Sequence, residues 1–144
     1  MISISELTIW NPKVLNAINQ LLPQLSPNAK TISRYRLKEL IESDGTLVFL
    51  ATNKNGDVLG MLSLIVIKIP TGNKAWIEDV VVDQSARGKG IGRALMNHAL
   101  QKAIKWGVKS IDLTSRPSRE SANELYQSLG YEIRQTNVYR YKIS

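Results

Sequence analysis

The stretch that most narrows what this chain can become is Val80-Val81-Val82-Asp83-Gln84-Ser85-Ala86-Arg87-Gly88-Lys89-Gly90-Ile91-Gly92-Arg93. A buried apolar strand runs into a loop with glycine at 88, 90 and 92, and a helical period from Gly90 to Trp106 follows until Gly107 stops it. Each glycine removes a Cβ, so backbone N–H groups can approach a phosphate closely. The helix start adds N–H donors without intrahelical partners and the positive end of the dipole. Arg87, Lys89 and Arg93 supply formal charge. A diphosphate is the natural guest of such a loop.

The basic excess lies in the same part of the chain. The 144 residues carry a formal charge of +7. Residues 84–119 hold Arg87, Lys89, Arg93, Lys102, Lys105, Lys109, Arg116 and Arg119 against Asp112 alone, and the remainder is neutral. Charge held in one quarter of a sequence points to a local anion site rather than a generally adhesive surface.

The rest of the chain reads as one mixed α/β domain over residues 1–144. Residues 2–9 alternate as a first strand. Asn11-Pro12 opens a helix that carries Val14, Leu15, Ile18, Leu21, Leu22 and Leu25 at helical spacing. A second helix is expected over about 32–43. Strands follow at 46–52, 58–69 and 74–83, with a hairpin turn at Asn53-Lys54-Asn55-Gly56-Asp57. After the glycine loop and its helix come a short strand at 110–115 and a helix capped by Ser118 that runs to Leu129 and breaks at Gly130. Residues 131–135 and 138–143 read as a closing hairpin around Thr136-Asn137. The expected order is β-α-α-β-β-β-α-β-α-β-β.

Three phosphate-binding designs can be tested against the loop. A P-loop ends in Gly-Lys-Ser/Thr, but here the sequence is Gly92-Arg93-Ala94, with no hydroxyl for magnesium. A dinucleotide fingerprint started at Gly88 or Gly90 puts Arg93 or Leu95 where its last glycine belongs. The third design, Arg/Gln-x-x-Gly-x-Gly/Ala, is met by Arg87, Gly90 and Gly92. With a strand before it and a helix after it, this loop resembles the coenzyme A-binding motif of the GNAT N-acetyltransferases. The strand Trp76-Ile77-Glu78-Asp79-Val80-Val81-Val82-Asp83 looks like that family's fourth strand, and Ser121-Ala122-Asn123-Glu124-Leu125-Tyr126-Gln127-Ser128-Leu129-Gly130-Tyr131 is similar to its second motif. The element order fits the acyl-CoA N-acyltransferase fold from end to end.

The resemblance implies roles residue by residue. The pantetheine arm of acetyl-CoA lies along the backbone of Val80, Val81 and Val82 as a pseudo-strand. Its pyrophosphate sits on the N–H groups of Gly88, Lys89, Gly90, Ile91 and Gly92, helped by Arg87 and Arg93. Asn123 holds the cofactor, and the Tyr126 hydroxyl protonates the departing thiolate, a task suited to a phenol that is neutral at pH 7. Glu78 is the candidate base. Strict alternation puts it on one strand face with Trp76, Val80 and Val82, where desolvation would raise its pKa. Asp79 then points to the opposite face unless a bulge intervenes. His98 reads as a core-edge histidine.

Composition excludes several chemistries. There is no cysteine, so no disulfide, thiolate metal site or acyl-cysteine intermediate. One histidine builds no multi-histidine metal centre, and no metal is expected. No apolar run approaches the ~18–20 residues that span a membrane, and the first residues lack a basic leader, so the reading is a cytoplasmic domain. The expected activity is direct attack of an amine on the thioester of acetyl-CoA in a ternary complex, the acceptor being a small molecule or a peptide. The alternative is a catalytically silent acyl-CoA-binding regulatory module. The basic charge does not lie beside an aromatic stacking platform, which argues against nucleic acid. Glu78, Asp79 and Asp83 favour a cationic acceptor. The last strand, with Tyr139, Tyr141 and Ile143 on one face, offers an edge for a homodimer.

Overall fold

Asn11 and Pro12 begin the first helix by two independent devices. The Asn11 Oδ1 accepts from the Val14 N–H at 2.9 Å, and proline at the first helical position gives up an N–H that has no helical acceptor anyway. In the computed structural model, which describes residues 1–144, this helix is α1, Pro12–Leu25, and it follows a short strand β1, Ser3–Glu6. Next come α2 (Arg34–Glu42), β2 (Thr46–Thr52), β3 (Val58–Ile69) and β4 (Gly72–Val82). A single 3-10 turn (Gln84–Ala86) leads to α3 (Ile91–Lys105), β5 (Ile111–Asp112) and α4 (Glu120–Ser128). The chain divides into two compact units: Met1–Leu113, with the sheet and the first three helices, and Thr114–Ser144, with α4.

The sheet order is β1-β2-β3-β4-β5, antiparallel throughout except for the parallel pair β4–β5. On one face, Ile18 and Leu21 of α1 and Leu37 of α2 join Val48, Leu50, Met61 and Val81 in one buried cluster. On the other, α3 buries Ile91, Leu95, Met96 and Ala99, and His98 meets Phe49 edge-on at 4.8 Å, at the margin of the core as expected. Gly60 shows how closely α3 lies against β3. A Cβ at that position would come within 3.2 Å of both the Ile91 and the Leu95 side chains.

The chain departs from expectation near its end. β5 pairs only Ile111 and Asp112, with Ala75 and Trp76, against the expected span of 110–115. Residues 131–143 form no strand, and Ile133, Tyr139, Tyr141 and Ile143 are each more than 80% exposed. Alternation predicts where side chains of a strand would point, but only a partner supplies the ladder, and an isolated two-stranded hairpin is marginal in water. A tight two-residue hairpin also requires positive φ in its turn. Asp79 is the one non-glycine residue with positive φ, so Thr136-Asn137 does not make that turn. The strand edge on which the homodimer expectation rests is therefore not formed. At α4, Arg119 rather than Ser118 takes the cap position, with no side-chain bond to the helix start.

Candidate active site

Asp79 breaks the alternation of β4 at the point that matters most. Its φ is 51°, and the β3–β4 register jumps there: Ser63 pairs with Glu78 but Met61 pairs with Val81, so Leu62 alone faces Asp79 and Val80. This is a β-bulge, one extra residue that changes the parity of everything after it. Cross-strand partners share a sheet face. Glu78 therefore lies with Ser63, Trp76 and Val81 on the face covered by α1 and α2, while Val82 pairs with Gly60 on the α3 face. The expected grouping of Glu78 with Val80 and Val82 is thus corrected. Glu78 is also exposed, so it lacks the apolar surroundings that strict alternation implies.

The bulged strand leaves an edge unused. β4 has only β3 and β5 as neighbours, and β5 reaches no farther than Trp76. The other edge of Ile77–Val82 therefore pairs with no strand, and its N–H and C=O groups point where a longer β5 would continue. Those groups are the partners an extended amide-bearing ligand needs.

At the end of β4 the chain is held by several bonds. The Asp83 N–H donates to the Leu59 carbonyl at 2.7 Å. The Asp83 carboxylate accepts from the hydroxyl and the N–H of Ser85 and from the Gln24 amide. These bonds favour the ionised form and hold the carboxyl below its ordinary 3.8, the Ser85 hydroxyl contributing most and Gln24 next. The Arg87 side chain folds back, its Nε donating to the Val82 carbonyl at 3.2 Å. Gly88 and Gly90 then adopt φ of 79° and 80°. A Cβ on either would meet nothing within 4 Å. Glycine is required there by backbone shape, and the space before it is open. α3 begins with the Ala94 N–H donating to the Gly90 carbonyl at 3.0 Å. Gly90 has no side chain to cap that helix, so the helix presents its first-turn amides and its dipole outward. Backbone donors, a helix start and the exposed Arg87 and Lys89 fit the diphosphate of coenzyme A.

The rest of the basic quarter is elsewhere. Arg93 lies in the first turn of α3, whereas Lys102 and Lys105 lie in the last, about 14 and about 18 Å away along the helix axis. Lys102 sits 3.5 Å from Glu6 and over the Trp106 ring, and Lys109 donates to the Thr71 carbonyl. Residues adjacent in sequence are carried apart by the helix. Of the lysines and arginines in the first unit's basic stretch, only Arg87, Lys89 and Arg93 stand at the loop.

In the second unit, Asn123 and Tyr126 share one face of α4. The Asn123 Nδ2 donates to the Arg116 carbonyl at 2.9 Å, which pins the loop before the helix. Tyr126 is buried, and its ring meets that of Tyr131 edge-on at 6.3 Å. Burial pushes its hydroxyl above the ordinary 10.0, with the Arg119 charge acting in the opposite direction. The hydroxyls of Ser115 and Tyr131 are buried without a hydrogen-bond partner in the protein. Tyr131 closes the motif quoted from the sequence and Ser115 belongs to no motif, but for neither does the sequence indicate that the hydroxyl is orphaned.

The sequence model of the acetyltransferase (GNAT) family matches residues 15–131. An uncharacterized N-acetyltransferase of Methanocaldococcus jannaschii is 31% identical over 106 residues, 72% of this chain and 46% of that protein. The ribosomal protein bS18 alanine N-acetyltransferase of Escherichia coli is 36% identical over 59 residues, 41% of this chain and 40% of that protein. The matched segments are thus less than half the length of either relative. Among solved structures, an aminoglycoside N-acetyltransferase in complex with CoA superposes with a TM-score of 0.81 over 99% of this chain and 95% of that one, at 18% identity, a likeness of fold. The family match runs unbroken from α1 through the bulged strand, the glycine loop and the Asn123–Tyr126 helix, and the chain belongs to the acetyltransferase (GNAT) family.

Proposed function

We propose that residues 1–144 act as a single acetyltransferase domain that moves the acetyl group of acetyl-CoA to a primary amine. The observation that carries this reading is the open edge of Ile77–Val82 leading directly into the Gly88 and Gly90 turns and the uncapped start of α3. An edge of amides suits the pantetheine arm along Val80, Val81 and Val82. The loop from Arg87 to Arg93 suits the diphosphate that follows it in the same molecule. Asn123 contributes to holding the cofactor. The relative from Escherichia coli is named for acetylating an alanine of a ribosomal protein, and the CoA-bound neighbour for acetylating aminoglycosides. Both acceptors are amines, and an amine fits the carboxylates of Glu78 and Asp79.

In the reaction, the amine nitrogen attacks the thioester carbonyl and a C–N bond forms. The C–S bond breaks, the nitrogen loses one proton and the sulfur gains one. Glu78 accepts the first proton, directly or through water, and Tyr126 donates the second. A β4 N–H near Val80 polarises the carbonyl. The chain has no cysteine, so attack within a ternary complex is the simplest route. The test is thiol release from acetyl-CoA across a panel of amines. Turnover with any of them supports the reading, and E78Q should lower kcat with every accepted amine. Tight binding without turnover by any amine would leave a silent acyl-CoA-binding module.

A further inference from the structure

We infer that Gln24, in the last turn of α1, is a positioning residue for the diphosphate loop, because its amide bridges two groups at the loop's start, the Asp83 carboxylate and the Gln84 N–H. The inference rests on the reading of residues 87–93 as the diphosphate cradle. Gln24 Nε2 donates to Asp83 Oδ1 at 2.8 Å, and Gln24 Oε1 accepts from the Gln84 N–H at 2.9 Å. The same Nε2 donates to the Gln20 carbonyl at 3.2 Å within α1. Both hydrogens of the amide and its oxygen are therefore used, and they fix its orientation. The neighbours demand that orientation: a carboxylate needs the donor and an N–H needs the acceptor.

The bridge joins parts of the chain about sixty residues apart. The other carboxylate oxygen of Asp83 is taken by Ser85, so the start of the loop is held from α1 on one side and by its own 3-10 turn on the other. Downstream, Gly88 and Gly90 give the loop its shape, and glycine also gives it the greatest freedom to lose that shape. A clamp upstream reduces the ordering that must occur when a diphosphate binds. Such preorganisation appears as affinity, not as a faster chemical step. Gln24 is half-buried and lies on a helix outside the glycine motif. No pattern in the sequence marks it.

The test compares Q24M, which keeps length without hydrogen bonds, with Q24E and with the double variant Q24E/D83N. Acetyl-CoA binding is read by calorimetry and turnover by steady-state kinetics. Q24M should bind acetyl-CoA about tenfold more weakly, with KM raised and kcat unchanged, the expected size for losing the one charged and one neutral hydrogen bond that reach the loop. Q24E should be at least as weak, because it faces Asp83 with a like charge. In Q24E/D83N the bond is reversed: the amide introduced at position 83 donates to the carboxylate introduced at position 24, which still accepts from the Gln84 N–H. Affinity should return to within about threefold of the wild type. A lowered melting temperature with unchanged acetyl-CoA affinity in Q24M would assign Gln24 to folding alone and overturn the inference. Failure of the double variant to recover affinity would do the same. No binding by the wild type would overturn the diphosphate reading itself, and this one with it.

Discussion

Residues 82–93, proposed to hold the diphosphate, and residues 120–131, which carry the proposed proton donor Tyr126, are built in opposite ways. The first presents backbone: two glycines in the left-handed region, an uncapped helix start, and side chains that mostly brace the loop from behind, as Asp83 does with Ser85 and Arg87 with Val82. The second presents side chains on a regular helix, with a buried phenol at Tyr126 and an amide at Asn123. A site made of backbone is damaged by adding atoms, and a site made of side chains is damaged by removing them. That difference orders the expected effects.

The largest belongs to the backbone site. G90V asks a β-branched residue to hold a φ of 80°. Acetyl-CoA affinity should fall by about 100-fold or more, because the strain is relieved only by abandoning the loop's shape. A Cβ at position 90 meets no protein atom, so circular dichroism should still report a folded chain. Loss of folding together with binding would mean that the glycine serves the core and would erase the contrast between the regions.

Next comes the side-chain site. Y126F removes one oxygen and keeps the ring against Tyr131. With any accepted amine, kcat should fall by roughly 10²-fold, the usual worth of a placed general acid, and the KM for acetyl-CoA should stay near that of the wild type. An unchanged kcat under conditions where chemistry limits the rate would reduce Tyr126 to packing.

Smaller effects sharpen the picture of the loop. R87A should weaken acetyl-CoA binding by about fivefold, and the remaining affinity should depend less steeply on salt, since one screened charge is gone. The smallest effect concerns Asp83. Its folded carboxyl lies below the ordinary 3.8, so as pH falls the unfolded chain takes up the proton first. Its contribution to stability is complete above about pH 5 and is lost as pH drops through 3.8 towards the folded value. D83N should flatten the acid limb of a melting-temperature profile while leaving its neutral part nearly parallel to that of the wild type.

The same contrast explains what can be read in advance. Gly88 and Gly90 are legible because a positive φ demands glycine and the demand is written in the residue itself. The cap at Asn11 and the hairpin turn around Gly56 are local for the same reason. The bulge at Asp79 is not legible. Its register comes from β3, and a one-residue slip in parity moves Glu78 into company with Val81 rather than Val80 and Val82. The closing hairpin fails for a related reason, since alternation at 131–143 says nothing about a partner strand. Gln24 and the orphaned Ser115 hydroxyl depend wholly on neighbours distant in sequence.

The most direct measurement is an amide-resolved NMR titration of the chain with acetyl-CoA. The account predicts that the largest shifts fall on the N–H groups of Gly88, Lys89, Gly90, Ile91 and Gly92, with a second set along Val80–Val82, and that G90V abolishes both. Saturating millimolar acetyl-CoA that leaves those amides unmoved would contradict it.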